Sequence, residues 1–231
     1  MTIDVATGEP RLDALCVLAQ RTRELMDAVA LTDVGEDELA AVAAELATLT
    51  ERLRATARDR PQPFELAPDG TLRHLGNAVA GAANAHALPL VAEQTPEGGV
   101  RAEVTFRPTH EGPPGSVHGG ITAMILDHLL GQAVAAAGLA GMTGTLSVRY
   151  RATVPYGRPL LATARHTRSE GRKTWAEGHI ALPDGTVLAE ATGLFITPTR
   201  WMDHRASGTG QGTVRGAVRG AGQGTGQGTG Q

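Results

Sequence analysis

The stretch GSVHGGITAMILDHLLG, residues 115–131, sets a single aspartate in the middle of an apolar, helix-forming run. Between Gly119 and Met142 the strongly polar side chains are Asp127, His128 and Gln132, with Thr122 near the start. An ionised carboxylate in a buried helix is costly unless a partner neutralises it or the protein uses it. Just upstream, Gly115, Gly119 and Gly120 surround His118. Glycines at a helix start present backbone N–H groups with no Cβ in the way, and the terminus carries partial positive charge. Such a terminus suits a carbonyl oxygen that is becoming an oxyanion. The plainer readings are that the glycines serve tight packing and that Asp127 is hydrogen-bonded to backbone or paired with an arginine.

Spacing constrains how these groups can work together. Gly119 and Asp127 are eight residues apart, which on an α-helix is a rise of about 12 Å and a rotation near 80°. One chain cannot bring both to the same carbonyl carbon. If both serve one reacting centre, they come from two copies whose helices face each other across a two-fold axis.

The flanking segments show how such a helix is held. Val100, Ala102, Val104 and Phe106 alternate with Arg101, Glu103, Thr105 and Arg107, the two-residue period of a half-buried strand. Leu146, Val148 and Tyr150 alternate with polar residues in the same way, and strand-like runs follow at about 159–168, 173–182 and 186–197, divided by the turn signals SEGRK and PDG. One strand, one long apolar helix and then four strands joined by short turns predict an α+β fold, an antiparallel sheet wrapped around a central helix. Ahead of it, residues 1–57 read as a helical hairpin. Leu12, Leu15, Leu18, Ala19, Leu25, Met26 and Val29 form one stripe; Leu39, Val42, Leu46, Leu49 and Leu53 form another, with a break at TDVGEDE. The hairpin reads as a packing or oligomerisation element, or as a lid. Residues 58–75, with prolines at 61, 63 and 68, read as a linker and 76–200 as the catalytic-type domain. In 207–231, ten of 25 residues are glycine, which predicts a disordered tail.

Bulk properties narrow the function classes. A net charge of −3 gives no global field to recruit nucleic acid. The single cysteine, Cys16, cannot form an internal disulfide, and the N-terminus lacks a signal-peptide pattern, so a cytoplasmic location is expected. A mid-helix Asp argues against a membrane span at 119–142. No metal or redox cofactor is called for. Locally, residues 149–173 hold Arg149, Arg151, Arg158, Arg165, Arg168, Arg172 and Lys173 against one acid, Glu170. This band is a candidate anion site, and solvated strand-face charge is its rival reading. Arg172 and Lys173, at the EGRK turn, are its leading candidates for phosphate contact.

EGPPGSVHGG, the Asp nine residues after the His, TGTLSVRY, EGRK and LAEATGLFI occur in that order. Together they resemble the PaaI-type hotdog-fold acyl-CoA thioesterases, most closely the thioesterase superfamily member four branch, over about residues 76–197. The resemblance implies hydrolysis of an acyl-CoA thioester at a dimer interface. In that family the N–H of the glycine after the histidine polarises the thioester carbonyl, and an acid on the other subunit's central helix attacks it or activates water. By position these are Gly119 and Asp127. A Ser or Thr seven residues before the strand tyrosine places the water, which implies Thr143 before Tyr150. His118 shapes the loop. Many relatives carry Asn six residues before the His, where this chain has Gly112. The CoA phosphates would fall to Arg172 and Lys173, and the assembly would be a homodimer or a dimer of dimers.

Two other readings compete. Hotdog dehydratases pair their acid with a histidine several residues further along the helix, whereas His128 directly follows Asp127 and lies on another face. A non-catalytic acyl-CoA or acyl-carrier binding module would not need an acid beside the acyl group. Three Phe, two Trp and two Tyr leave few rings to stack on an aryl substrate, so aliphatic, medium to long acyl groups are expected.

Overall fold

The computed structural model describes residues 9–60, 64–66 and 72–199. The Gly-rich tail lies outside them. The chain divides into two compact units, one drawn from Met1–Pro89, Phe106–His118 and Pro155–Arg158, the other from Leu90–Thr105, Gly119–Val154 and Pro159–Gln231.

The first unit is helical. Helix α1 spans Pro10–Leu31, with proline in its first turn, where the missing N–H costs nothing. Helix α2 spans Glu36–Arg54, acidic in its first turn and basic in its last, which complements the helix dipole at both ends. The buried face of α1 differs from the predicted stripe. Leu12, Cys16, Ala19 and Arg23 are buried, whereas Leu18, Met26 and Val29 are exposed. Leu12 and Cys16 cluster with Leu75 and Ala82. Arg23 can join that face because its guanidinium donates to the carbonyls of Asn84 (2.8 Å) and Ala82 (3.3 Å). Periodicity of apolar residues could not anticipate a buried cation satisfied by residues sixty positions away. Short strands β1 (Glu65–Leu66) and β2 (Leu72–Arg73) pair antiparallel in the segment read as a linker.

The second unit has the predicted α+β arrangement. Its strands are β3 (Glu93–Gln94), β4 (Val100–Thr105), β5 (Met142–Tyr150), β6 (Pro159–Glu170), β7 (Lys173–Ala181) and β8 (Val187–Ile196), and its helix is α3 (Gly119–Ala136). The strands form one antiparallel sheet in the order β3-β4-β6-β7-β8-β5. Strands 6, 7 and 8 follow each other as hairpins, and β5, first in the chain after the helix, lies at the far edge beside β8. Helix α3 buries Thr122, Ile125, Leu126, Leu129, Leu130, Ala133 and Val134 and packs against the sheet. Gly193 on β8 permits the close approach, because a Cβ there would stand 2.8 Å from the Phe195 ring and 3.1 Å from Leu130 Cδ1. Length and composition alone would let α3 cross a membrane, but its apolar face is the core of this unit.

Candidate active site

Asp127 is not fully buried. It flanks the buried stripe of α3, one turn from Leu130 and two turns from Val134, and is half-buried. Thr143 Oγ1 on β5 donates to its Oδ1 at 2.9 Å. The helix therefore does not bear the full cost of a desolvated charge, and one carboxylate oxygen is held while the other keeps its lone pairs for a further partner.

The geometry of β5 explains how Thr143 comes to face the helix. Tyr150, seven residues later, also reaches α3, where its hydroxyl donates to the Gly119 carbonyl at 2.7 Å. On a regular strand, residues seven apart point to opposite faces. Here the register slips between Thr143, opposite Phe195, and Thr145, opposite Leu194, which makes Gly144 an inserted residue. This bulge moves Thr143 onto the same face as Leu146, Val148 and Tyr150. No alternation count in the sequence reveals it, although a glycine within a strand is a recognised bulge signal.

Gly119 is the first residue of α3, so its N–H has no acceptor within the helix. Tyr150 lies directly against it, and a Cβ on Gly119 would sit 3.1 Å from the phenol oxygen. The glycine thus admits the tyrosine while the tyrosine holds the first turn by its carbonyl. In the sequence Tyr150 is a strand residue and the landmark for Thr143; in the structure it also holds the start of α3. Since α3 is unbroken from Gly119 to Ala136, the separation of about 12 Å between Gly119 and Asp127 along the axis holds within one chain.

The loop that precedes α3 belongs to the helical unit. Pro113 to Ser116 form a tight turn closed by Ser116 N–H donating to the Pro113 carbonyl at 2.9 Å. Gly115 occupies its left-handed position at φ 75°. Glu111 braces the turn by accepting from the Gly115 amide at 2.6 Å and from the Tyr156 hydroxyl at 3.3 Å. At Gly112, a Cβ would stand 2.7 Å from His118 Cα and 2.9 Å from its Cβ. The asparagine of many relatives would not fit this loop without a shift of backbone. His118 itself is exposed, and its amide donates to the His110 carbonyl at 2.9 Å. Burial, reinforced by the nearby Arg107 charge, pushes the His110 imidazole down to about 4. The ring is neutral at pH 7, and its Nδ1 accepts from the Arg107 amide at 3.1 Å. Arg107 in turn donates to Asp27 at 2.9 Å and to the Arg23 carbonyl, tying the loop to α1.

The predicted basic band is mostly neutralised by acids from neighbouring strands, which a linear count could not include. Arg151 pairs with Glu190 at 2.7 Å, Arg149 lies 3.9 Å from the same carboxylate, and Arg165 pairs with Glu177. Arg168 lies 3.8 Å from Glu170 and stacks 3.6 Å above the Trp175 ring. Arg172 donates to the Thr197 carbonyl and to Thr199 Oγ1, which fixes it at the β6–β7 turn. Lys173, also at that turn and exposed, is in no salt bridge among the described residues.

Comparison with known proteins identifies the family. Residues 114–189 match the family model described as Thioesterase superfamily. The acyl-coenzyme A thioesterase THEM4 of Xenopus laevis is 38% identical over 92 residues, which cover 38% of this chain and 40% of that protein. The mouse (Mus musculus) THEM4 is 34% identical over 87 residues, 37% of each chain. The chain thus spans about two fifths of the length of these curated relatives. One solved crystal structure, of a thioesterase superfamily protein, is 38% identical, covers 79% of this chain and 94% of its own, and superposes with a TM-score of 0.71. A likeness that takes in nearly the whole of that protein, together with the family match across the helix and the strands that carry Asp127, Thr143 and Tyr150, shows that the chain belongs to the thioesterase superfamily.

Proposed function

We propose that the protein hydrolyses acyl-CoA thioesters to the free acid and CoA, in a site completed by a second copy of the chain. The observation that carries this reading is the Thr143–Asp127 hydrogen bond on the helix whose first residue is Gly119. A thioester is already activated, so a carboxylate, a positioned water and one or two N–H donors suffice. Thr143 donates a hydrogen bond to Asp127, which leaves the threonine oxygen free to accept one from water and orient it. The Asp127 carboxylate draws the other proton as the water oxygen bonds to the acyl carbon, or adds to that carbon itself. Negative charge then builds on the carbonyl oxygen, where the Gly119 N–H at the positive end of α3 stabilises it. The C–S bond breaks and CoA leaves as the thiol, taking the proton that Asp127 removed from water. On the covalent route the thiolate leaves first, and water then cleaves the acyl–Asp127 anhydride, giving one proton to the thiolate and its oxygen to the acid.

The second copy is required by distance, because Gly119 and Asp127 of one chain cannot meet at one carbon. Strand β5 supports the arrangement. It is a nine-residue edge strand with Met142 and Tyr150 exposed, the kind of edge that proteins normally cover. A partner adding its own β5 antiparallel across a two-fold axis would cover it and bring the partner's α3 beside Asp127. Lys173 is the cation we assign to the CoA phosphates, with Arg172 holding the turn. The acyl group is aliphatic and of medium to long chain in this proposal.

The test is release of free thiol from a panel of acyl-CoAs of increasing chain length, by the wild type and by Asp127→Asn. Wild-type turnover is expected to peak above eight carbons, roughly a thousandfold over the variant, because a neutral amide cannot take the proton. Near-normal hydrolysis by Asp127→Asn would sink the mechanism. A non-catalytic binder would instead retain every acyl-CoA intact.

A further inference from the structure

Helix α2 is an amphipathic helix whose apolar side is left largely uncovered by the described residues, with Val42 and Leu46 only half-buried. It buries no residue, yet Leu39, Val42, Leu46, Leu49 and Leu53 recur at spacings of three and four, and Leu39, Leu49 and Leu53 are exposed. That alternation is the seam of a two-stranded coiled coil, not the broader face of a helix on a globular core. A 19-residue helix carrying such a seam is about 28 Å long, and its exposed leucines call for a partner of matching shape.

The charges identify that partner. The first turn holds Glu36, Asp37 and Glu38, and the last turn holds Arg52 and Arg54. A parallel copy would lay acid on acid, whereas an antiparallel copy brings the acidic end of one helix toward the basic end of the other and opposes their dipoles favourably. One register also satisfies the flanking positions. With Leu46 facing the partner's Leu49 and Val42 facing the partner's Leu53, Glu45 comes beside the partner's Arg52, and the two-fold axis repeats the pair. Glu45 and Arg52 lie seven residues apart on their own helix, too far to meet there, and neither is in a salt bridge among the described residues.

We infer that α2 is a self-association element that pairs antiparallel with α2 of a second copy of this chain, in the register set by Glu45 and Arg52. This interface is separate from the catalytic proposal and stands or falls independently of it.

The test is disulfide trapping in the full chain. Leu46→Cys and Leu49→Cys are prepared as two single variants and oxidised mildly, each alone and as an equilibrated 1:1 mixture, with unaltered protein as the background for the buried Cys16. The mixture is expected to yield several times more covalent dimer on non-reducing gels than either variant alone, because residue 46 faces residue 49 and not itself. Adding Glu45→Arg to both variants should cut that yield at least fivefold, and adding Glu45→Arg with Arg52→Glu should restore it. Circular dichroism and an Ala44→Cys/Ala47→Cys control on the outer face separate loss of pairing from loss of the helix. Greater yield from the single variants would mean parallel pairing. That result, yields no higher than the control, or indifference to the charge reversals would each overturn the inference.

Discussion

A carboxylate next to a threonine hydroxyl can serve as a base, as a nucleophile or simply as a stable polar pair, and kinetics separates these roles. In the proposed chemistry Thr143 acts on water in the transition state more than on bound substrate. Thr143→Ala is therefore expected to lower kcat about tenfold or more with KM changed less than about twofold. A change in KM alone would make Thr143 a binding residue. Lys173 calls for the opposite pattern. Lys173→Gln should raise KM for an acyl-CoA about fivefold and leave KM for the matching acyl-pantetheine, which lacks the nucleotide phosphates, unchanged. An equal rise for both would place the phosphates elsewhere. Gly112 shows a different kind of constraint, steric rather than chemical, since its missing side chain leaves room for His118.

At the level of elements, the site depends on a strand that is not regular. The bulge at Gly144 lets both Thr143 and Tyr150 face α3, one reaching the acid and the other pinning the helix start. Gly144→Val favours a regular strand of unchanged length, in which residues seven apart face opposite ways, so Thr143 would turn away while Tyr150 stays in place. The Gly144→Val variant should keep the far-ultraviolet spectrum of the wild type and lose at least as much kcat as Thr143→Ala. If its activity stays within about twofold of wild type, the bulge does not position Thr143. The β6–β7 turn contrasts with it. There Gly171 at φ 56° permits a tight reversal between Glu170 and Lys173, as the SEGRK signal predicted.

For the whole molecule, the decisive question is whether two chains complete one site. Proline is tolerated at the first residue of a helix and removes its N–H, so Gly119→Pro tests the oxyanion donor, with Gly119→Ala as a control for the added Cβ. Gly119→Pro and Asp127→Asn should each be inactive alone, and an equilibrated 1:1 mixture should recover about a quarter of the wild-type rate, since half the dimers are mixed and each mixed dimer has one intact site. No recovery in a mixture shown to exchange subunits would confine each site to one chain. The amino-acid sequence by itself determined the strands from 100 onward, the central helix, the turns and the residues able to do chemistry, because side-chain period, glycine placement and local charge are properties of neighbouring residues. What only the tertiary structure decided were contacts between residues distant in the chain. These include the edge position of β5, the register slip that aims Thr143, the tyrosine on Gly119, the carbonyls that let Arg23 be buried and the acids that neutralise the arginine band. Each depends on which strand lies beside which, and that is settled by packing one sheet face against one helix, a condition no local pattern encodes.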